Sequence, residues 1–132
     1  MLDTGSAGDF VYQRRGMPER VIDRVQRGDR VGFCPPVLGE LRAGVELSKT
    51  RDRNLKRLNA AMGKLVLWPF DEAAAIEFGR VFAQLRRAGR PMQQIDVQVA
   101  AVALALGNCT VVSRDSDLRA IEGLDVEDWA TK

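Results

Sequence analysis

Ile95-Asp96-Val97-Gln98-Val99-Ala100-Ala101-Val102-Ala103-Leu104-Ala105-Leu106-Gly107-Asn108-Cys109-Thr110-Val111-Val112-Ser113-Arg114-Asp115 is the stretch on which the fold turns. It reads as an apolar helix over 93–106, a stop at Gly107-Asn108, a short strand over 109–112, and a carboxylate just beyond the strand. The helix has the length of a buried core helix. On a 3.6-residue period Asp96 shares a face with Val99, Ala100 and Ala103, where core is expected. A lone carboxylate in such a place is costly or takes up a proton.

Outward from this stretch the chain alternates short strands with amphipathic helices. Met1-Leu2-Asp3 is a strand stub. Residues 6–15 form a helix, and Pro18 starts another over 18–27 with Val21, Ile22 and Val25 on one apolar face. Val31-Gly32-Phe33-Cys34 is a strand. Pro35-Pro36 turns the chain into a helix over 36–48 with the stripe Val37, Leu38, Leu41 and Val45. A charged helix follows over 51–62, then the strand Lys64-Leu65-Val66-Leu67-Trp68. Asp71 caps a helix over 72–88 that Gly89 ends. A helical turn over 115–120 and a last strand over 124–127 complete the pattern. Five strands alternating with helices predict an α/β protein, a three-layer α/β/α sandwich around a short, mainly parallel five-stranded sheet. The 132 residues suit a single domain spanning 1–132.

Composition narrows the chemistry. With 45% hydrophobic residues the chain can build a real core. Its 20 basic and 18 acidic residues give a net charge of +2, too balanced to imply a nucleic-acid partner alone. Arginine dominates the cations, however, and arginine suits bidentate phosphate contacts. No signal peptide and no membrane span are expected, which points to the cytoplasm. Cys34 and Cys109 are expected to be reduced core thiols. The chain has no histidine, which removes Ser-His-Asp and Cys-His catalysis and disfavours zinc.

In parallel sheets of this kind ligands bind beyond the carboxyl ends of the strands, where strand order reverses. Asp3 and Asp115 follow strands immediately, and Glu40 and Asp96 reach the same edge from helix N-terminal halves. Each acid has a plainer reading. Asp96 suits a helix N-terminus, Glu40 an exposed helical surface, and Asp3 and Asp115 helix caps. Together they predict a site for hard divalent cations, Mg²⁺ or Mn²⁺, of the kind that phosphodiester hydrolysis needs. Water as the nucleophile would leave 5′-phosphate and 3′-hydroxyl ends.

The order of motifs resembles the PIN domain family, and within it the VapC-type toxins of bacterial toxin–antitoxin pairs. The resemblance is carried by Leu2-Asp3-Thr4, Gly39-Glu40-Leu41-Arg42-Ala43-Gly44 and Arg86-Arg87-Ala88-Gly89-Arg90-Pro91. It continues with Asp96 entering an alanine-rich helix, Val111-Val112-Ser113-Arg114-Asp115 with Leu118, and Gly123-Leu124 before Asp128-Trp129. It implies a Mg²⁺-dependent endoribonuclease with metal-binding acids at Asp3, Glu40, Asp96 and Asp115. Thr4 and Ser113 fall on supporting hydroxyl positions and Asp117 on a further acidic one. It also implies a small antitoxin partner covering the site and helices within 6–48, and a homodimer. Arg86, Arg87, Arg90 and Arg114 are candidates for holding the RNA strand. The chain departs from the family pattern at Gly5, where Asn is frequent.

Other classes compete. Leu2-Asp3-Thr4-Gly5-Ser6 matches the aspartic protease signature, but that fold is nearly all β and needs a strand upstream of the motif. A non-catalytic PIN-like module binding RNA or protein is the main alternative, and the full set of four acids argues against it. A phosphoacceptor receiver domain would need a lysine where Arg114 stands.

Overall fold

Residues 1–3 run through the middle of the sheet, and the rest of the chain is arranged around them. The computed structural model describes residues 1–130. Its elements are α1 (Thr4–Val11), α2 (Met17–Gln26), β1 (Gly32–Phe33), α3 (Pro35–Leu47), α4 (Arg51–Met62), β2 (Val66–Leu67), α5 (Glu72–Arg87), α6 (Gln94–Leu106), β3 (Thr110–Val112), a 3₁₀ helix (Ser116–Ala120) and β4 (Asp125–Glu127). β1 pairs in parallel with β2, and β3 in parallel with β4. The opening segment joins the two ladders. Leu2 forms a parallel bridge with Val112. Its N–H donates to the Gly32 carbonyl at 2.7 Å, and the Asp3 N–H donates to the Val112 carbonyl at 3.1 Å.

The order across the sheet is therefore β2, β1, residues 1–3, β3, β4. The chain leaves the centre toward β1 and later returns to β3 on the other side, so strand order reverses at Asp3. Right-handed crossovers assign α1–α4 to one face and α5–α6 to the other. The packing follows this division: α5 lies on α6, and α1 touches α2, α3 and α4, while α3 also reaches α6. The short parallel sheet is as expected. Four strands and a one-residue bridge stand in place of five strands, because three residues are too few for a ladder of their own.

One core runs through the molecule, with Leu2, Phe33, Val45, Val99, Val111 and Leu118 among its buried side chains. Each such side chain contributes roughly 1.5–3 kcal/mol by leaving water. Val97 and Val99 to Ala103 are buried in α6, as its apolar run required. The first helix starts at Thr4 rather than 6, because Asp3 caps it, and ends at Val11. Its end coincides with positive φ at Gln13, Arg15 and Gly16. The apolar face expected on α2 is only partly used. Val21 is buried, whereas Ile22 and Val25 are exposed, since this helix rests mainly on α1 and buries one edge.

Cys34 is buried and Cys109 half-buried, and both are free thiols. Burial pushes the Cys34 thiol up to about 11, so it is a packing residue rather than a nucleophile. Among the described residues no helix is long and apolar enough to cross a membrane.

Candidate active site

The reversal point of the sheet gathers the acids from four parts of the chain. Asp3 ends the central segment, and its Oδ1 accepts the Ser6 N–H at 2.8 Å. It is thus both a helix cap and a member of the cluster. Ser113 is buried just past β3, and its Oγ accepts the Asp115 N–H at 2.9 Å. Asp115 Oδ1 in turn accepts the Asp117 N–H at 2.9 Å and starts the 3₁₀ helix. Glu40 projects from α3, with the Thr4 hydroxyl donating a long 3.5 Å contact to its Oε1. Asp96 sits half-buried in the first turn of α6, whose N-cap Gln93 makes no side-chain capping bond.

Asp96 feels the charge of the other acids. Burial raises the Asp96 carboxyl above the ordinary range, and the negative charges of Asp115, Asp3, Glu40 and Asp117 raise it further. The N-terminus of α6 favours a carboxylate, yet desolvation and like charge prevail. Among the described residues the ion pairs fall on Asp9, Asp23, Asp29, Glu46, Asp52 and Glu77, and on none of these five acids.

An all-oxygen, uncompensated donor set is what a hard divalent cation takes. As the side chains stand, no three acidic, histidine or cysteine residues among the described residues converge closely enough to hold an ion. Glu40, Asp115 and Asp117 are exposed. Bringing three of these carboxylates to one point requires side-chain movement.

The predicted arginines divide. Arg114 lies beside the cluster, 3.5 Å from Asp9. Arg86 and Arg87 end α5, with Arg86 over the Phe82 ring at 5.3 Å, and Arg90 is exposed in the following turn. None of these three pairs with the acids. A groove among the described residues lies elsewhere, lined by Met1, Val31, Trp68, Cys109, Glu127 and Trp129. Its two carboxylates, Asp29 and Glu127, are not among the predicted acids, and Asp29 is tied to Arg24 at 2.7 Å. Asp9 was not foreseen from the sequence. It is fully buried on α1 and takes Arg14, Arg15 and Arg114 around one carboxylate. The signal was present in an acid within Gly8-Asp9-Phe10-Val11 followed closely by Arg14-Arg15.

Known proteins resemble this chain in sequence and fold. A profile of the PIN domain matches residues 1–124. The tRNA(fMet)-specific endonuclease VapC of Salmonella typhimurium is 29% identical over 130 residues, covering 98% of this chain and 96% of that protein. Ribonuclease VapC5 of Mycobacterium tuberculosis is 31% identical over 106 residues, covering 79% of this chain and 78% of that one. The crystal structure of DNA-bound VapBC from Salmonella typhimurium superposes with a TM-score of 0.90 at 29% identity, covering 98% of this chain and 97% of the matched chain. VapBC2 from Rickettsia felis, bound to a promoter DNA fragment, reaches the same TM-score of 0.90 at 22% identity, covering 98% of this chain and 97% of its counterpart, and supports the fold alone. With the parallel sheet, the reversal point and the ordered acids in place, the chain belongs to the PIN domain family and resembles its VapC-type members along nearly its whole length.

Proposed function

We propose that this chain is a divalent-cation-dependent endoribonuclease, acting as the toxin of a toxin–antitoxin pair in the cytoplasm. The observation that carries the proposal is the uncompensated group of carboxylates at the point where strand order reverses. The endonuclease and ribonuclease names of the relatives support RNA as the substrate, and the VapBC complexes support a small antitoxin as partner. A homodimer and a single domain over 1–132 belong to the same proposal; Thr131 and Lys132 lie outside the described residues.

Asp3, Glu40, Asp96 and Asp115 would hold Mg²⁺ or Mn²⁺, supported by Thr4, Ser113 and Asp117. When bound, such a cation polarises the phosphoryl oxygen and activates water for attack on phosphorus. The chain supplies the placement. The Ser6 N–H fixes one oxygen of Asp3, the Ser113 hydroxyl fixes the turn that carries Asp115, and the Thr4 hydroxyl steadies Glu40. Asp96, the carboxyl most inclined to hold a proton, must lose it before it can act as a ligand. Acidification is therefore expected to weaken both cation binding and cleavage. Arg86, Arg87 and Arg90, exposed on the approach to α6, would extend a basic track for the RNA strand.

The test is cleavage of RNA by the purified protein with Mg²⁺ or Mn²⁺, its loss in EDTA, and its return with excess cation. The products should carry 5′-phosphate ends. Full activity in chelator would refute the proposal. Expression alone is expected to arrest growth, and co-expression of a short reading frame adjacent to the gene to relieve the arrest. Unimpeded growth with active protein present would leave a nuclease without a toxin role.

A further inference from the structure

We propose that Arg114 grips a phosphate of the RNA strand next to the metal-site acids, and that the buried Asp9 is the residue that positions it. The inference rests on the nuclease reading and adds to it a substrate-holding element specific to this chain.

The Asp9 side chain is only 1% exposed. Its Oδ1 accepts Arg15 Nη1 at 2.9 Å and lies 3.3 Å from Arg14 Nε. Its Oδ2 is buried and makes no hydrogen bond, while Arg114 Nη2 stands 3.5 Å away. One carboxylate is already balanced by one guanidinium. Arg15 and Arg14 already engage its Oδ1, so burial of Asp9 does not depend on Arg114. Arg114 is the member that points toward the acids. A Cβ built on Gly5 would lie 3.5 Å from Arg114 Nη2 and 3.8 Å from Asp3 Oδ1. The guanidinium and the Asp3 carboxylate thus flank the same bare position on α1.

Arg114 is held loosely from behind, and its side chain remains 41% exposed. A guanidinium carries five N–H donors in a planar fork. Most of these donors stay available, in a geometry that matches two oxygens of a phosphate. A strand whose scissile phosphate sits at the acids places a neighbouring phosphate in reach of this fork. Like charge explains the need: the acidic cluster repels the RNA backbone, and a fixed cation at its rim offsets that repulsion.

The experiment uses the full chain carrying Asp96→Asn, with intact RNA verified on a gel, and a fluorescently labelled single-stranded RNA oligonucleotide in Mg²⁺. Anisotropy is read across a salt series. Arg114→Ala is expected to weaken binding about tenfold and to lower the salt slope by about 0.7, the value for one lost phosphate contact on a single strand. Arg114→Lys should recover the slope but only part of the affinity.

Asp9→Asn separates positioning from net charge. Removing a negative charge should tighten RNA binding if only overall charge mattered. Positioning predicts weaker binding, and no further loss when Arg114→Ala is already present. Gly5→Leu leaves Asp9 intact and crowds the guanidinium, so it gives the same prediction by a second route should Asp9→Asn fail to fold. An unchanged affinity and slope in Arg114→Ala would overturn the inference. Tighter binding in folded Asp9→Asn would do the same for the role of Asp9. If the wild-type protein cleaves RNA with cation but shows no Arg114 dependence, only this inference falls. If it neither cleaves nor binds RNA, the nuclease reading falls with it.

Discussion

Asp96→Asn is expected to lower RNA cleavage at least about 100-fold and, in the same protein, to raise the melting temperature measured in EDTA. Groups that merely orient metal ligands cost about 10–100-fold when removed, so losing the charge of a ligand should cost more. The stability gain follows from the Asp96 carboxyl being held above its ordinary range by burial and by four neighbouring negative charges. Between the ordinary and the raised pKa, the folded protein binds more protons than the unfolded chain. Stability of the cation-free protein therefore falls as pH rises through that window, and the penalty is complete above it. Asparagine removes the penalty. In EDTA above that window the variant should melt higher than wild type, and the difference should shrink as pH falls through it. Added Mg²⁺ should stabilise the wild type more than the variant. Wild-type cleavage by the variant, or a lower melting point in EDTA above that window, would remove Asp96 from the site.

That opposition between stability and charge is also what made the site legible in the sequence. Asp96 stood out because Val99, Ala100 and Ala103 share its helical face, and all three are buried. Asp3 and Asp115 stood out because each follows a strand, and the strand order places both at the reversal point. The plainer reading of these two holds, since both carboxylates cap helices. Capping and clustering are compatible because a cap bond engages a single carboxylate oxygen. Ile22 and Val25 show where periodicity misleads: an apolar face forms, but α2 packs mainly on α1 and leaves both exposed. Asp9 escaped because its partners include Arg114, distant in sequence, and no local pattern announces a contact across 105 positions. The partners of the opening segment were likewise hidden, because its pairing depends on Gly32 and Val112 rather than on its own residues.

Gly32→Val is expected to destabilise the fold by about 3 kcal/mol, at the upper end of typical overpacking, whereas Gly44→Ala should stabilise it by about 0.5–1 kcal/mol. Both remove a glycine, and the difference lies in the space around each. A Cβ at Gly32 would overlap the Val66 carbonyl oxygen and press on the Trp68 ring at 2.9 Å. Backbone occupies that space, so no rotamer change relieves the contact. At Gly44, on the exposed side of α3, nothing lies within 4 Å of the added carbon. The methyl there reduces the freedom of the unfolded chain without touching the folded one. The consequence of Gly32 reaches further than β1. Its carbonyl accepts the Leu2 N–H, and Leu2 precedes Asp3. Separating β1 from β2 therefore loosens the segment that carries the first acid of the site. Against a total stability of about 5–15 kcal/mol, the valine variant should melt at least about 10 °C lower. Below its own transition it should also lose cleavage out of proportion to the unfolded fraction, because Asp3 is displaced before the core opens. Thermal melts of the two variants beside wild type, with cleavage assayed at the same temperatures, decide both points. A Gly32→Val protein as stable as wild type would mean that the close approach of β1 to β2 is not required.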